Sequence, residues 1–530
     1  MKRKTSHLKA GALCLLTLTG AAALPTNVMA ENITLRSQDG TIDITGEFLE
    51  FSDNIYLVRT ALGELRLSAE RVRCEGTACP AFEATVADVT FAGSEAIGVG
   101  VLPIVLEGYA GYLDAEATVV ATERQNEVIA KFVGESGFGD AMGSYLVNST
   151  SSTAAFEALM GQDAELGMTS RRIKPVEARA LRDAGAGNMI SPDQEHIIGV
   201  DSLVVVTHPD NPVNELTVEQ LASIYSGAIK NWSDVGGPDQ QITVIDRPEG
   251  SGTRDVLANL FNQTITTTAS TADRQIAVDN GEASTLVREN EAAIGFVGYA
   301  FLRGTKPVSL INECGMKMIP DAFSSRTEEY SLQRRLYMYN RADVESEATQ
   351  EFLQFVKSSD ADPLIQKAGF IDLGVDRQSQ DLESERARML LEPGVDSYES
   401  GYMQQMLADM VNFDRLSTTF RFRTGSSRLD ERARVDMERL VSYLEARPEG
   451  ATLRIVGFTD SVGAFDSNLN LAQNRAAQVR AEFTEFAGDR LNGVNIEVAS
   501  YGEIAPTACN VSDQGRAINR RVEVWIEAAG

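Results

Sequence analysis

Apolar and polar positions alternate along residues 31–82, in the runs TLRSQDGTIDITG, FLEFSDNIYLVRT and GELRLSAERVRC. A period of two predicts strands with one buried face, and Asp39-Gly40 between two alternating runs predicts a hairpin turn. We expect a small β-rich module there. From about residue 83 the texture changes. TVADVTFAGSEAIG (85–98) reads as strand, glycine turn and helix start, and VLPIVLEGYAGYL (101–113) continues as an apolar-rich helix. VDSLVVVTHPDNP (200–212) is an apolar strand leaving through a Pro/Asn turn, and TVEQLASIYSGAIKNWSDVGG (217–237) is an amphipathic helix with its loop. This alternation persists to about 375 and predicts a mostly parallel sheet with helices on its faces. Residues 376–400 are polar, charged and broken by Pro-Gly, which predicts a partly helical linker. Residues 401–530 read as a last α/β unit. Its strands fall near TTFRFR, ATLRIVGF, NIEVASYG and RRVEVWIE, with the helical patterns LDERARVDMERLVSYLEA and NLNLAQNRAAQVRAEFTEF between them. The expected class is an α/β multidomain protein.

The N-terminus departs from this texture. Lys2, Arg3, Lys4 and Lys9 precede the apolar run 11–24 and the small-residue stretch Val28-Met29-Ala30. That layout predicts a secretory signal peptide over residues 1–30, cleaved after Ala30, and hence export to the periplasm. Cys14 lies in the apolar run without a convincing lipobox. No later segment reaches ~18 uninterrupted apolar residues, so no other spanning helix is expected.

Charge narrows the partners. The whole chain of 530 residues carries a formal charge of −28. The signal region holds four of the cations and no acid, so the remainder stands at −32. Such a surface repels nucleic acid, and any anion site must act through local groups against the overall field. Cys74 and Cys79 are close enough to close a small disulfide loop in an oxidising compartment, and two thiols without a nearby His make a weak zinc site. Cys314 and Cys509 cannot be paired from sequence. His196 and His208 lie in no ligand-like cluster and read as structural or surface residues.

One stretch invites chemistry. RPEGSGTRD (247–255) follows the apolar run 241–245 and precedes VLANLFNQ (256–263), a strand, tight turn and helix. A helix N-terminus behind GSGT offers several N–H groups, hydroxyls and the positive end of a helix dipole, with Arg247 and Arg254 beside them. The chain over about 83–375 resembles periplasmic phosphate-binding proteins of the two-lobed substrate-binding fold. The likeness runs through FAGSEAIG (91–98), STSSTAAFEAL (149–159), AELGMTSRR (164–172), LTVEQLASIYSGAIKNWSDVGG (216–237), RPEGSGTR (247–254) and EYSLQRRLYMY (329–339). The resemblance implies two lobes that close on a dehydrated oxyanion, inorganic phosphate above all. The matching ligands would be Ser94, Ser151, Ser152, Thr153, Glu165, Arg247, Ser251, Gly252 and Thr253. That family usually carries Thr or Ser where this chain has Ala96, and its usual Asp before the Ser-Arg motif is here Glu165. A carboxylate there would accept a proton from hydrogen phosphate and reject sulfate, which has none to give.

GFTDSVGAFDSNLNLAQNRAAQV (457–479) and GEIAPTACNVSDQGRAINRRVEVWI (502–526) resemble the OmpA-like peptidoglycan-binding domain, a βαβαβ unit. The resemblance implies that Asp460 and Arg475 hold the diaminopimelate of the wall peptide, with Thr459, Asn468 and Arg521 in support. A carboxylate attracts the ammonium while a guanidinium grips the carboxylate. No Ser-His-Asp set, metal cluster or nucleotide loop accompanies either region, so neither an enzyme nor a cofactor is expected. The leading expectation is an exported oxyanion receptor anchored to peptidoglycan, at the outer membrane or in the periplasm, with an ABC transporter or a sensor as its client. The alternative is an envelope tether whose binding-protein domain has become an interaction module.

Overall fold

In the computed structural model, the residues described are 32–528, except 38–42, 53–54, 62, 69–71, 77, 80–85, 123, 262–273, 344–345, 392–396, 423–427, 448–449 and 492. The expected signal peptide and the Asp39-Gly40 turn lie outside them. The strands flanking that turn, Asn32–Ser37 and Asp43–Ser52, pair antiparallel. They belong to a five-stranded antiparallel sheet that ends at Glu75. Alternation places Ile33, Leu35, Tyr56, Val58 and Val72 on its buried face, and Cys74 is bonded to Cys79.

The second unit is built on one long sheet. Strands Val89–Ser94, Ala141–Thr150 and Leu166–Thr169 lie side by side and parallel, with Val89–Ser94 in the middle. The hairpin Ala115–Ala121 and Glu127–Val133 extends one edge antiparallel. On the other side run two long antiparallel strands, Glu195–Thr207 and Gln333–Asn340. Every residue of Glu195–Thr207 is buried, because it serves two lobes. Its first part pairs with Gln333–Tyr339, and Leu203–Thr207 pairs with Ile294–Gly298 of the second lobe. There, Thr243–Asp246 lies parallel between Arg274–Ile276 and Ala293–Gly298. The sheet is thus mixed, not mostly parallel as expected: the edge hairpin and the two crossing strands reverse direction.

The third unit is a sheet in the order Arg377–Gln378, Phe413–Arg421, Arg521–Glu527, Thr452–Phe458, Asn495–Gly502. Helix Phe465–Ala487 carries the chain between the parallel strands Thr452–Phe458 and Asn495–Gly502. The described residues of 376–400, expected as a partly helical linker, pack on this unit. Arg377–Gln378 is the sheet's edge strand, and Ala387 and Leu390 join Met406, Met410 and Trp525 in a buried cluster. The apolar spacing there is short and masked by charge, because Arg386 is itself buried on Glu523, at 3.1 Å.

The second and third units are stapled together. Cys314, in the loop after strand Ser309–Ile311 of the second lobe, is bonded to Cys509 across 195 residues. No described helix is long and apolar enough to cross a membrane.

His196, on the crossing strand, is buried with Nε2 2.8 Å from Asn340 Oδ1. Burial, helped by the Lys357 charge, depresses its pKa from 6.5 to about 4. The unfolded chain takes up that proton as pH falls through 6.5, while the folded chain does not until about 4. The contribution of His196 to stability is therefore lost on acidification across that window, by on the order of 2–3 kcal/mol. Asp362 and Asp436, whose carboxyls burial raises to about 6, act in the opposite sense. Urea unfolding between pH 7 and 4.5 should show the His196 slope as the difference between wild type and His196→Gln.

Candidate functional site

Parallel strands that lie side by side present their C-terminal ends together, and their loops share one rim. Here Ser94 ends the first such strand, Ser151 follows the second, and Ser170 and Arg171 follow the third. Ser94 is registered against Thr150, so the first two loops start level. Ser151 caps helix Ser152–Gly161 by accepting from Ala154 N at 3.2 Å. Ser152 Oγ is buried, accepts from Ser170 N at 3.1 Å and lies 3.2 Å from Ser170 Oγ.

The opposite wall comes from the second lobe. Strand Thr243–Asp246 leads into Arg247, and Ser251 caps helix Gly252–Leu260 through Arg254 N at 3.4 Å. The two capped helix N-termini meet face to face. A Cβ on Gly252 would stand 2.3 Å from Ser170 Oγ and 2.7 Å from Ser152 Oγ, so a larger residue would have to displace both hydroxyls. Two positive dipole ends brought together, with an arginine beside them, make a pocket of positive potential inside an acidic protein.

Arg247 is buried. Its Nε donates to Ala277 O and its Nη2 to Val278 O, both at 3.1 Å, which fixes the guanidinium. Its Nη1 is buried and has no hydrogen-bond partner among the described residues. Glu95, beside Ser94, approaches Arg247 Nη2 to 3.7 Å and accepts from Asn280 Nδ2 at 2.8 Å, reaching across from one lobe to the other. Burial pushes the Glu95 carboxyl up, against the pull of Arg247. Thr253 Oγ1 accepts from Arg334 Nη1 at 2.7 Å, and Arg334 is itself paired with Asp201 at 2.7 Å. Thr153 Oγ1 accepts from Arg171 Nη2 at 3.2 Å. Arg171 also crosses to Asp255, 3.3 Å away on the facing helix.

The structure therefore gathers Ser94, Ser151, Ser152, Thr153, Arg247, Ser251, Gly252 and Thr253 at one interface between the lobes. Glu165 is not there. It precedes strand Leu166–Thr169, at the end away from the loops, and its Oε2 accepts from Thr90 N at 2.7 Å. Thr90 lies four residues before Ser94, about 13 Å along an extended strand. The correction follows from strand direction: the Ser-Arg motif sits at the C-terminal end and Glu165 at the other. Ala96 is buried in the short helix after Ser94. Sequence reasoning passed over Glu95, Ser170, Arg171, Asn280 and Arg334. An acid next to Ser94 in an anion loop was a signal for Glu95. Asn280 and Arg334 arrive from distant elements and carry no local mark.

The third unit presents a second cluster. Thr459 and Asp460 follow the C-terminal end of strand Thr452–Phe458, and Asn468 and Arg475 share a face of helix Phe465–Ala487. Asn468 Nδ2 donates to Asp460 O at 3.3 Å and to the Glu503 carboxylate, holding the loop. Asp460 Oδ2 accepts from Arg520 Nη1 at 2.6 Å. Burial and the nearby Arg520 charge lower the Arg475 pKa, with Asp460 opposing. Arg475 Nη1 and Thr459 Oγ1 are buried without a hydrogen-bond partner among the described residues. Arg521 is absent from this cluster, a second correction. It is fully buried, with Nε 2.7 Å from Glu523 Oε1 and Nη2 donating to Ala505 O at 3.1 Å. Arg520 ends helix Asp513–Asn519 and faces Asp460, while Arg521 opens the following strand and faces the interior.

Comparison with known proteins bears on both clusters. A family model described as a PBP superfamily domain matches residues 108–360, and one described as the OmpA family matches 421–520. The phosphate-binding protein PstS of Borreliella burgdorferi is 26% identical over 184 residues, which cover 34% of this chain and 66% of that protein. PstS of Bacillus subtilis is 29% identical over 180 residues, covering 34% of this chain and 56% of its own length. Each match spans less than two thirds of the relative. A solved ABC-type phosphate transport receptor from Vibrio cholerae is 27% identical with a TM-score of 0.40, covering 53% of this chain and 99% of that one. Ser94 and Glu95 precede the matched residues, and the other cleft residues lie within them. The chain thus joins a two-lobed domain of the PBP superfamily to a C-terminal domain of the OmpA family.

Proposed function

We propose that this is an exported cell-envelope protein that binds a phosphate-type oxyanion between its two lobes and holds peptidoglycan through its C-terminal domain. One observation carries the first half. Two helix N-termini converge on each other beside a buried guanidinium whose Nη1 has no partner among the described residues. Such donors are expensive to bury unpaired, and a dehydrated anion is the ligand that satisfies them together. The phosphate-binding relatives and the absence of any need for bond chemistry support a receptor over an enzyme. Its client, an ABC transporter or a sensor, is an expectation with no feature of this chain behind it.

The role expected of Glu165 passes in this reading to Glu95. An ionised carboxylate in the wall accepts a hydrogen bond from hydrogen phosphate but meets only acceptor oxygens on sulfate. A second reading has a specific observation behind it. Glu95 already bonds Asn280 and approaches Arg247, so the lobes hold together through their own side chains. That favours an interaction module that has given up tight anion binding. Calorimetry on the ligand-stripped full chain separates the two. Phosphate should bind at pH 7 with sulfate at least tenfold weaker, and Glu95→Gln should narrow that gap by about tenfold, roughly 1.4 kcal/mol. Heat with neither anion would leave only the module.

For the wall, Asp460, Arg475 and Arg520 offer paired charges of both signs, the complement of a zwitterionic diaminopimelate end. Asp460→Ala and Arg475→Ala should each lower retention on isolated peptidoglycan while leaving the melting temperature within a few degrees. Arg521→Ala should instead destabilise the fold, by about 3–5 kcal/mol, because it strips a partner from buried Glu523. Normal retention by the Asp460→Ala, Arg475→Ala double variant would overturn the assignment.

A further inference from the structure

The C-terminal domain touches both lobes of the binding domain. On the second lobe it is held by the Cys314–Cys509 bond and by Gln514 Nε2, which donates to Ser331 O at 2.9 Å. On the first lobe it is held by Arg439. That guanidinium pairs with Asp362 at 2.7 and 3.0 Å and donates to the Lys357 and Ser358 carbonyls, both at 2.9 Å. Asp362 begins helix Asp362–Lys367, which packs on helix Leu102–Tyr112 of the first lobe. A second hold on this lobe is Arg172, 3.3 Å from Glu431.

Between these holds lies the crossing point of the lobes. Arg335, on strand Gln333–Asn340, reaches Glu431 at 2.9 Å and Asp430 at 2.8 Å. The arginines alternate in function. Arg171 and Arg334 face the cleft, at Thr153 and Thr253, while their neighbours Arg172 and Arg335 face the C-terminal domain and meet at Glu431.

Lobes that open about a hinge move apart on the side of the cleft and shift against anything that spans them. A rigid body attached to both lobes closes a mechanical loop. We propose that the C-terminal domain is a brace across the hinge, so that the cleft opens only when its hold on one lobe is released, either the Arg439 and Glu431 contacts with the first or the Cys314–Cys509 bond to the second. The anchor then sets the exchange of whatever the cleft holds. The inference rests on the two-lobed architecture and the contacts just given; the identity of the ligand enters only through one arm of its test.

Hydrogen–deuterium exchange on the full chain reads it without labels. Ligand-free wild-type protein should protect helices Ser152–Gly161 and Gly252–Leu260, which meet across the cleft. Arg439→Ala with Glu431→Gln, both changes outside the binding domain, should speed exchange there at least tenfold. Strands Asp43–Ser52 and Thr452–Phe458 should stay unchanged, as a control for folding. Cys314→Ser with Cys509→Ser cuts the other hold and should speed the same helices, and it decides the matter if the first variant does not fold. Equal exchange in wild type and the folded variants would overturn the brace. Adding inorganic phosphate should restore protection in the variants. Faster exchange that phosphate fails to reverse would keep the brace and remove phosphate as the ligand.

Discussion

Two adjacent acids, Glu328 and Glu329, are buried where the lobes cross, and most of the molecule's organisation depends on what neutralises them. Burial alone would raise both carboxyls, yet the surrounding guanidiniums hold them below the usual range. Glu328 accepts from Arg335 at 2.5 Å and from Arg432 at 3.0 Å, and Glu329 from Arg415 at 2.5 Å. Arg421 adds a bond to Thr327 O at 2.7 Å. Only Arg335 belongs to the binding domain; the other three come from the C-terminal domain. Undocking would leave two like charges side by side with one guanidinium between them. Breaking a buried pair in this way costs about 3–5 kcal/mol. The OmpA family domain is therefore a fixed part of the binding domain's hinge, where a partly helical linker between separate domains was expected.

That dependence reaches the cleft through strand geometry. Alternation along Gln333–Asn340 sends Arg334 to Asp201 and Thr253 and sends Arg335 to the interface. The cleft itself is an electrostatic compromise. Face-to-face helix N-termini and Arg247 concentrate positive potential, and Glu95 sits against it. Buried as it is, Glu95 is strained toward its neutral form by desolvation and toward its charged form by Arg247. An arriving anion therefore competes with a side chain of the protein for the same guanidinium.

What could be read from the sequence was what is local. The turn RPEGSGTRD folds as its residues dictate, with Ser251 capping and Gly252 open to close approach, because cap and helix are neighbours in the chain. The loops at Ser94 and Ser151 follow from strand-to-helix patterning in the same way. Errors arose where a residue's role depends on which end or side of a strand it occupies. Glu165 and Ser170 are five positions apart yet lie at opposite ends of one strand. Arg520 and Arg521 are adjacent yet face opposite ways, and a family motif alone does not say which one looks outward. The Cys314–Cys509 pair, Arg439 on Asp362 and Asn280 on Glu95 were illegible because each joins segments separated by tens to hundreds of residues. Residues 376–400 misled for another reason: Arg386 turns inward onto Glu523, and Arg377 onto Asp414, where composition suggests solvent.

The overall charge explains why the two candidate sites are built so differently. A chain at −28 opposes an approaching anion, although salt confines that field to about 8 Å at physiological ionic strength. An anion site can prevail only where local donors act at short range in a medium of low dielectric, which means enclosure between lobes. The wall ligand proposed for the C-terminal domain carries an ammonium and a carboxylate together. The acidic field attracts one and repels the other, so the two effects nearly cancel and contact geometry decides. Asp460, Arg475 and Arg520 then need less enclosure than the anion cleft. Asp460 keeps some exposure, with 13% of its side chain accessible, while Arg247, facing the anion cleft, keeps 5%. The difference in burial between the two sites agrees with the difference in charge between the two proposed ligands.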